Sequence, residues 1–395
     1  MKDLTSLKTF IIDSKNPHEI DDAISLEFIE DKPKYLWVHI SYPAKLIKHN
    51  SNIDLECRKK VSSLYLVDNY RPMLPEHIIN IANLKMNKVS ETLSACIEFN
   101  KNGSIKSYKI LETIIKPDYE LTYEDTNEIL DLEPKEEYEL INIKKILERS
   151  FNYRKECGAI TFNAPFSKLC LIDEKICFEK YESTPAHTLV SESMILMGFV
   201  ISDFLIQNKI PAPFRSQKIN CDANEILKRN SSSLIKFSIL KQYIGKSFIS
   251  RKPNNHETLG LESYTQVTSP LRRYIDLIIQ KQIYFYLNNY PLISEDEIDD
   301  LINEYKSKLK DVNDIIKQNK FKYLRKFFKK NNEEFFKIIF IRWINPKKNI
   351  ALVYFPEYYL EILIKLYISI DTYTNKIYKI KYINNDESNL LEFIN

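Results

Sequence analysis

Glycine is scarce in this chain, with 5 residues in 395. That scarcity excludes a glycine-rich phosphate loop of either the P-loop or the dinucleotide-binding kind. Cysteine is sparse and unpatterned. The six thiols, at positions 57, 96, 157, 170, 177 and 221, form no CxxC pair and no zinc-ligand spacing. They read as free thiols in a reducing compartment. Long hydrophobic runs are lacking too: Met1–Phe10 holds no stretch suited to a signal peptide. The two most apolar windows, Leu189–Ile206 and Leu352–Ile370, are broken by Glu192 and Asp203 and by Pro356, Glu357, Glu361 and Lys365. The expectation is a cytoplasmic protein with no membrane-spanning segment.

What is present is ordinary in bulk and uneven in detail. An apolar content of 44% with 28% charged residues fits a globular protein, and the length suits one large domain plus a smaller one. Tyrosine (25) and phenylalanine (21) are plentiful, enough for a core with some left over for stacking on bases. The net charge of +3 hides an asymmetry. Residues 118–140 carry ten acids and one lysine, whereas residues 306–330 carry ten Lys or Arg and two Asp. The basic run has two readings, a phosphate-facing surface or a solvated helix face beside the acidic segment.

Four carboxylates gather on one short turn, in Ile11-Ile12-Asp13-Ser-Lys-Asn-Pro17-His-Glu19-Ile20-Asp21-Asp22-Ala23. Apolar runs at Thr9–Ile12 and Ala23–Phe28 predict strands on either side, with Pro17 fixing the loop between them. Adjacent strand residues face opposite ways, so Asp21 and Asp22 point together only if the chain bends there. Acids this close repel one another, and a hard divalent cation with oxygen ligands, Mg²⁺ or Mn²⁺, relieves that repulsion. A solvated acidic turn is the other reading.

Residues 1–115 read as strands and turns with short helices, including a strand at Tyr35–Ile40 and an alternating one at Leu93–Phe99. A charged helical stretch follows to about Asn152. Apolar spacing predicts a helix from Ala186 to Leu205. Another is expected from Ser269, with Pro270 at its first position, and the run 306–330 continues a further helix. Beyond Asn331–Glu334 the pattern turns to short strands at Phe336–Arg342, Ile350–Tyr354, Ile362–Ile368 and Tyr378–Ile383, as a small β-barrel requires.

The second informative segment runs from Gly260 through Tyr264 and Thr268-Ser269-Pro270-Leu-Arg272-Arg273-Tyr274-Ile-Asp276. It places two arginines in the predicted first helical turn, where free N–H groups already favour an anion. Either the arginines hold a phosphate, or Arg272 pairs with Asp276 at i, i+4.

Taken together, the two segments resemble the RNB domain of the ribonuclease II family of 3′→5′ exoribonucleases. The acidic loop is similar to that family's D-x5-D-x-D-D, and Thr268–Asp276 to its T-S-P-[IL]-R-[RK]-Y-x-D. Intervening stretches are similar as well: Tyr65-Leu66 with Pro72–Glu76, Leu121–Glu124, Arg154 with Gly158–Phe162, and Ala186-His187 with Val190, Glu192 and Met194. The resemblance spans about residues 9–290. It implies an α+β fold, with mixed sheets surrounded by helices around a central channel for single-stranded RNA. An RNB-type catalytic domain would cover 1–333 and a short OB-like β-barrel 334–395. It further implies that Asp13, Glu19, Asp21 and Asp22 hold Mg²⁺ or Mn²⁺, with Asp21, Asp22 and Arg272 catalytic. Tyr65, Phe162, Glu192, Tyr264 and Arg273 would contact RNA, and the products would be nucleoside 5′-monophosphates.

The chain departs from that pattern in three places. Glu19 stands where the family has aspartate, one methylene longer. Asp13 comes almost at the first residue, without the cold-shock-type modules expected before it. The tail is short for the family's terminal barrel, and Ile315–Lys330 holds no glutamate. Two rival functions follow: an RNA-binding pseudoenzyme or regulatory protein, and a phosphodiesterase for short oligoribonucleotides.

Overall fold

Apolar alternation over the first 122 residues produces a mixed seven-stranded sheet. The computed structural model describes residues 1–395 apart from 161–164, 221–239, 368–376, 386–388 and 395. Strands β1 (Lys2–Asp3), β2 (Thr9–Asp13), β3 (Asp22–Ile29) and β4 (Lys32–Ser41) come first, followed by helix α1 (Asn52–Lys60). A small hairpin, β5 (Leu64–Tyr65) and β6 (Tyr70–Arg71), precedes α2 (Glu76–Ala82). Next are β7 (Ser90–Phe99), β8 (Ile105–Ile115) and β9 (Tyr119–Thr122). The sheet order is β1-β8-β7-β4-β3-β2-β9. Its interior holds a closed polar chain: buried His39 bonds Ser25 (2.8 Å) and Ser94 (2.7 Å), and Ser94 continues to Thr113 (2.6 Å). Burial holds His39 neutral, with its pKa down at about 3.

Helices α3 (Tyr123–Leu132), α4 (Tyr138–Glu156) and α5 (Pro185–Gln207) cover the sheet. The start of α3 is set by a capping box between Thr122 and Asp125. By length and composition α5 could cross a membrane. In the fold it is a core helix, with Leu189, Leu196, Met197, Val200, Ile201 and Leu205 buried in the main apolar cluster. A hairpin that the sequence pattern did not announce, β10 (Phe166–Ile172) with β11 (Lys175–Tyr181), lies between α4 and α5 in the chain. A short pair, β12 (Phe214–Ser216) and β13 (Phe248–Ser250), follows.

The helix expected from Ser269 starts five residues later. Residues 270–272 form a turn, and α6 is Tyr274–Leu287 with Arg273 at its N-cap. The physical reason is Asp276, buried in the first turn of α6. It accepts the Ser269 N–H (2.9 Å) and so holds the preceding segment off the helix axis. Helix α7 is longer than the basic run alone, spanning Glu295–Lys330 from an N-cap at Ser294.

Five strands then close a barrel in the order β14-β15-β16-β18-β17: β14 (Phe335–Asn345), β15 (Ile350–Phe355), β16 (Leu360–Tyr367), β17 (Ile377–Ile383) and β18 (Leu391–Ile394). A five-stranded closed barrel is the OB-like architecture expected of the tail, although β18 was not predicted. Phe328, from the end of α7, sits among Phe336, Phe355, Tyr382 and Phe393, so the helix stoppers the barrel with its own side chain.

Candidate active site

The acidic loop exists because β2 and β3 part early. They pair only at Thr9↔Ser25 and Phe10↔Ile24, after which Ile11–Asp13 turns to β9 as a parallel partner. Residues 14–21 are left to span the gap. Asn16 takes a left-handed conformation (φ 54°) ahead of Pro17, and the loop is pinned by Leu84 N–H to Ile20 O (3.1 Å) and Ser41 N–H to Asp21 O (2.7 Å). Since β3 begins at Asp22, the bend falls between the two aspartates. Both line the same cavity.

That cavity has a volume of about 360 Å³ and brings together Asp13, Asp21, Asp22, Tyr65 and Arg272. Asp21 is buried. Its Oδ1 accepts the Ser41 hydroxyl (3.0 Å) and the Leu271 N–H (3.0 Å), while Oδ2 has no hydrogen-bond partner among the described residues and lies 3.6 Å from Arg272 Nε. Burial, set against the pull of Arg272, raises the Asp21 pKa to about 7. Burial and then the charges of Asp21 and Asp13 raise Asp22 further, to about 8. Burial also raises Asp13. Arg272, even with Lys168 acting on Asp13, does not offset the burial of these three carboxylates, and a buried oxygen is left without a donor among the described residues. Burial is the largest influence on Arg272 and opposes its charge, but Asp21, Tyr65, Asp276 and Asp22 together outweigh it and keep the arginine's pKa above its usual value.

The donor chemistry of Asp13, Asp21 and Asp22 fits a hard divalent cation. Among the described residues, no three acid, imidazole or thiol groups are already gathered tightly enough to coordinate one ion. Glu19 lines the same cavity but is already engaged by other donors. It is buried, with Oε1 accepting the Ser63 hydroxyl (2.8 Å) and Oε2 accepting the Tyr65 hydroxyl. The longer side chain reaches the β5–β6 hairpin and ties Tyr65 down.

That hairpin is also joined to the arginine turn, through Ser63 N–H to Arg272 O (3.0 Å) and Tyr274 N–H to Val61 O (2.9 Å). Val61 is buried at φ 56°, a left-handed conformation costly for a β-branched residue, about 1–3 kcal/mol. Strain of this kind collects where a site over-determines its backbone.

The remaining predicted positions divide. Arg273, not Arg272, pairs with Asp276 (2.7 Å), which leaves the Arg272 side chain beside Asp21 and 44% exposed. Glu192 is buried and grips Arg154 through two hydrogen bonds, one of 3.0 Å from Nε. The ring of Tyr264 lies over Gly198 of α5, where an added Cβ would meet it at 2.3 Å. Phe162 lies outside the described residues.

Sequence reasoning missed three features of the site. The β10–β11 hairpin contributes Lys168, Glu179 and Tyr181 to the cavity lining. Tyr123 stacks on His187 (3.9 Å, 9°), and its pKa is raised by burial and by the charges of Asp13 and Asp22. His18 stacks on Tyr70 (4.0 Å, 1°) beside Tyr65 (5.3 Å from Tyr70).

Clustered acceptor oxygens facing one guanidinium form a site suited to a phosphodiester and a hard cation. The chain belongs to the family defined by the RNB domain, which matches residues 1–289. It is similar to an uncharacterized ribonuclease of Synechocystis sp., 31% identical over 364 residues that make up 91% of this chain and 55% of that protein. The chain thus spans about half the length of such relatives. Among solved structures it is similar to the exoribonuclease Dss1 of Candida glabrata (TM-score 0.88, 21% identity, all of this chain and 55% of that one). It is also similar to yeast Ssd1, a pseudonuclease (TM-score 0.72, 16% identity, 92% of this chain and 50% of that one). At those identities the likeness is of fold alone.

Proposed function

We propose that this chain is a metal-dependent hydrolase of single-stranded RNA that works from the 3′ end and releases nucleoside 5′-monophosphates. The observation that carries this reading is the meeting of Asp21 and Arg272, 251 positions apart, in one acid-lined cavity. A volume of about 360 Å³ is at the small end for ligand pockets and suits a strand terminus rather than a duplex. Asp13, Asp21 and Asp22 would hold Mg²⁺ or Mn²⁺, which when bound activates water and stabilises the leaving oxygen. Arg272 neutralises charge growing on the scissile phosphate. Tyr65, its hydroxyl anchored by Glu19, presents a fixed ring for a base to stack on.

With 5′-labelled single-stranded RNA and Mg²⁺ or Mn²⁺, a ladder of shortening products is the expected outcome. Turnover confined to very short oligomers would make the chain an oligoribonucleotide phosphodiesterase. A second reading, the RNA-binding pseudoenzyme, is favoured by one observation: Glu19 is engaged by Ser63 and Tyr65. Tight RNA binding with no cleavage in either metal would establish it.

Glu19 acts in this scheme by positioning Tyr65. Glu19→Gln is expected to raise KM for RNA about tenfold, the scale of one charge-assisted hydrogen bond. The Mg²⁺ concentration for half-maximal rate should stay as in the wild type. A large rise in that concentration instead would assign Glu19 to the metal.

A further inference from the structure

Two of the six thiols meet on the hairpin that helps to wall the acid cavity. Cys170 of β10 and Cys177 of β11 are direct strand partners, and the Cys170 thiol donates to the Cys177 carbonyl (3.6 Å). Their register follows from the turn. Asp173 and Glu174 both take left-handed conformations (φ 49° and 61°), as a two-residue hairpin turn of the primed kind requires. Such a turn closes on a hydrogen-bonded pair, here Ile172 and Lys175, and the alternation places Cys170 and Cys177 in the same class. Partners of that class have Cα atoms about 5.5 Å apart, near the middle of the range that a disulfide spans. Among the described residues, no other two cysteines are strand partners.

The pair also lies on the face that matters. Side chains alternate across a strand, so Lys168 and Cys170 share one face of β10, with Glu179 and Cys177 opposite them on β11. Lys168, Glu179 and Tyr181 line the acid cavity. The other face, with Leu169, Leu171, Ile176 and Phe178, packs into the apolar cluster of the barrel. The thiols therefore sit one partner pair beyond the cavity lining, about 7 Å along the strands. Both are half-buried, within reach of a small oxidant, whereas Cys57 and Cys96 are buried. Burial, then the charges of Glu179 and Cys177, raise the Cys170 pKa against the Glu179 backbone and Lys168, so its resting form is the thiol.

We propose that Cys170 and Cys177 are a modification site, closing to a reversible disulfide that staples the cavity wall and weakens RNA binding. The oxidant is a low-molecular-weight disulfide. One cysteine thiolate attacks it, one S–S bond forms as another breaks, and the departing thiolate takes up a proton. The second cysteine thiolate then attacks the protein sulfur of the mixed disulfide and expels the remaining small thiol. Two protein thiols are oxidised, and one small disulfide is reduced to two thiols. The staple fixes the separation and twist of the strands beside Lys168 and Glu179. A misplacement of about 1 Å in a positioning wall costs up to about a hundredfold. The effect on RNA rests on the functional reading above, and the disulfide itself does not.

The test equilibrates the full chain with oxidised and reduced glutathione, quenches it by alkylation and maps the peptides by mass spectrometry. The expected product is a peptide joined through Cys170 and Cys177, lighter by two hydrogen atoms and reopened by dithiothreitol. Affinity for labelled single-stranded RNA, measured in EDTA, should fall about tenfold on oxidation and recover on reduction. The double variant Cys170→Ser with Cys177→Ser keeps the thiols at 57, 96, 157 and 221. It should bind RNA as the reduced wild type does after the same treatment, which also reports that it is folded. A fall in affinity that persists in the double variant would overturn the proposal. So would a disulfide to Cys157 or Cys221 in place of this one, or a mapped Cys170–Cys177 disulfide with unchanged affinity. Absence of hydrolysis by the reduced wild type would count against the functional reading while leaving the peptide map and the affinity measurement intact.

Discussion

Replacing Asp22 by asparagine is expected to lower the rate of RNA hydrolysis by a factor on the order of 10³ while the protein stays folded. The two halves of this outcome have one cause. Burial and the charges of Asp21 and Asp13 raise the Asp22 pKa to about 8, and burial raises Asp21 to about 7. A carboxyl group whose pKa is higher folded than unfolded stabilises the fold fully below its unfolded value, near 3.8. That stability is lost as pH rises through the folded value. Metal-free wild type should therefore lose stability progressively as pH rises from about 4 to about 8, and added Mg²⁺ or Mn²⁺ should raise its Tm more at pH 8.5 than at pH 6. The Asp22→Asn variant cannot ionise at this position. Without metal it should match or exceed the wild-type Tm above pH 8, and it should respond less to Mg²⁺. Activity is read on 5′-labelled RNA and Tm by calorimetry with and without EDTA. An active Asp22→Asn enzyme, or a wild type whose Tm ignores both pH and metal in this range, would remove the assigned role of the acidic loop.

Parts of this site were legible in the sequence because they are local. Asp13, Asp21 and Asp22 sit on one loop between two strands with recognisable apolar runs, and the arginine turn is marked by Ser269-Pro270. The partnerships were not legible. Glu19 finds Tyr65 across 46 positions and Arg154 finds Glu192 across 38, and nothing in the spacing records either contact. Burial made the difference for Glu192, which the sequence offered as a nucleotide contact and the fold encloses with an arginine. The start of α6 was misplaced for a related reason. Ser269 and Pro270 are good helix openers locally, but buried Asp276 captures Ser269 N–H and Arg273, so tertiary hydrogen bonds override the local signal. In the fold, strands of clear alternation were read well and short ones were missed, as β18 and the β10–β11 hairpin show. A strand of four residues such as Leu391–Ile394 offers too few positions for a period of two to stand out.

The framework behind the arginine turn carries the second large expectation. Asp54 on α1 is fully buried and forms an ion pair with Lys281 of α6, itself fully buried. The Tyr274 hydroxyl adds a hydrogen bond to Asp54 (3.2 Å) and the Asn50 N–H another (2.7 Å). His49 lies 3.3 Å from Asp54 and 2.9 Å from Glu297, which links the cluster to α7. Burial alone would raise the Asp54 pKa, but His49 and Lys281 outweigh it and hold the value at about 2. Its contribution is therefore fully present above its unfolded value near 3.8 and lost as pH falls toward 2. Asp54→Ala leaves the Lys281 ammonium buried with no counter-charge. The expected loss is about 3–5 kcal/mol, a fall in Tm of roughly 10 °C. Adding Lys281→Met removes the stranded charge and should recover most of that loss, because a buried pair replaced as a whole costs far less than one broken in half. Urea unfolding of the two variants at neutral pH measures both effects. If the single variant loses less than about 1 kcal/mol, the cluster does not brace the α1–α6 junction. That junction fixes where Tyr274 sits, and through it the turn that aims Arg272 at the acids, so Asp54→Ala protein that remains folded should also show a raised KM for RNA.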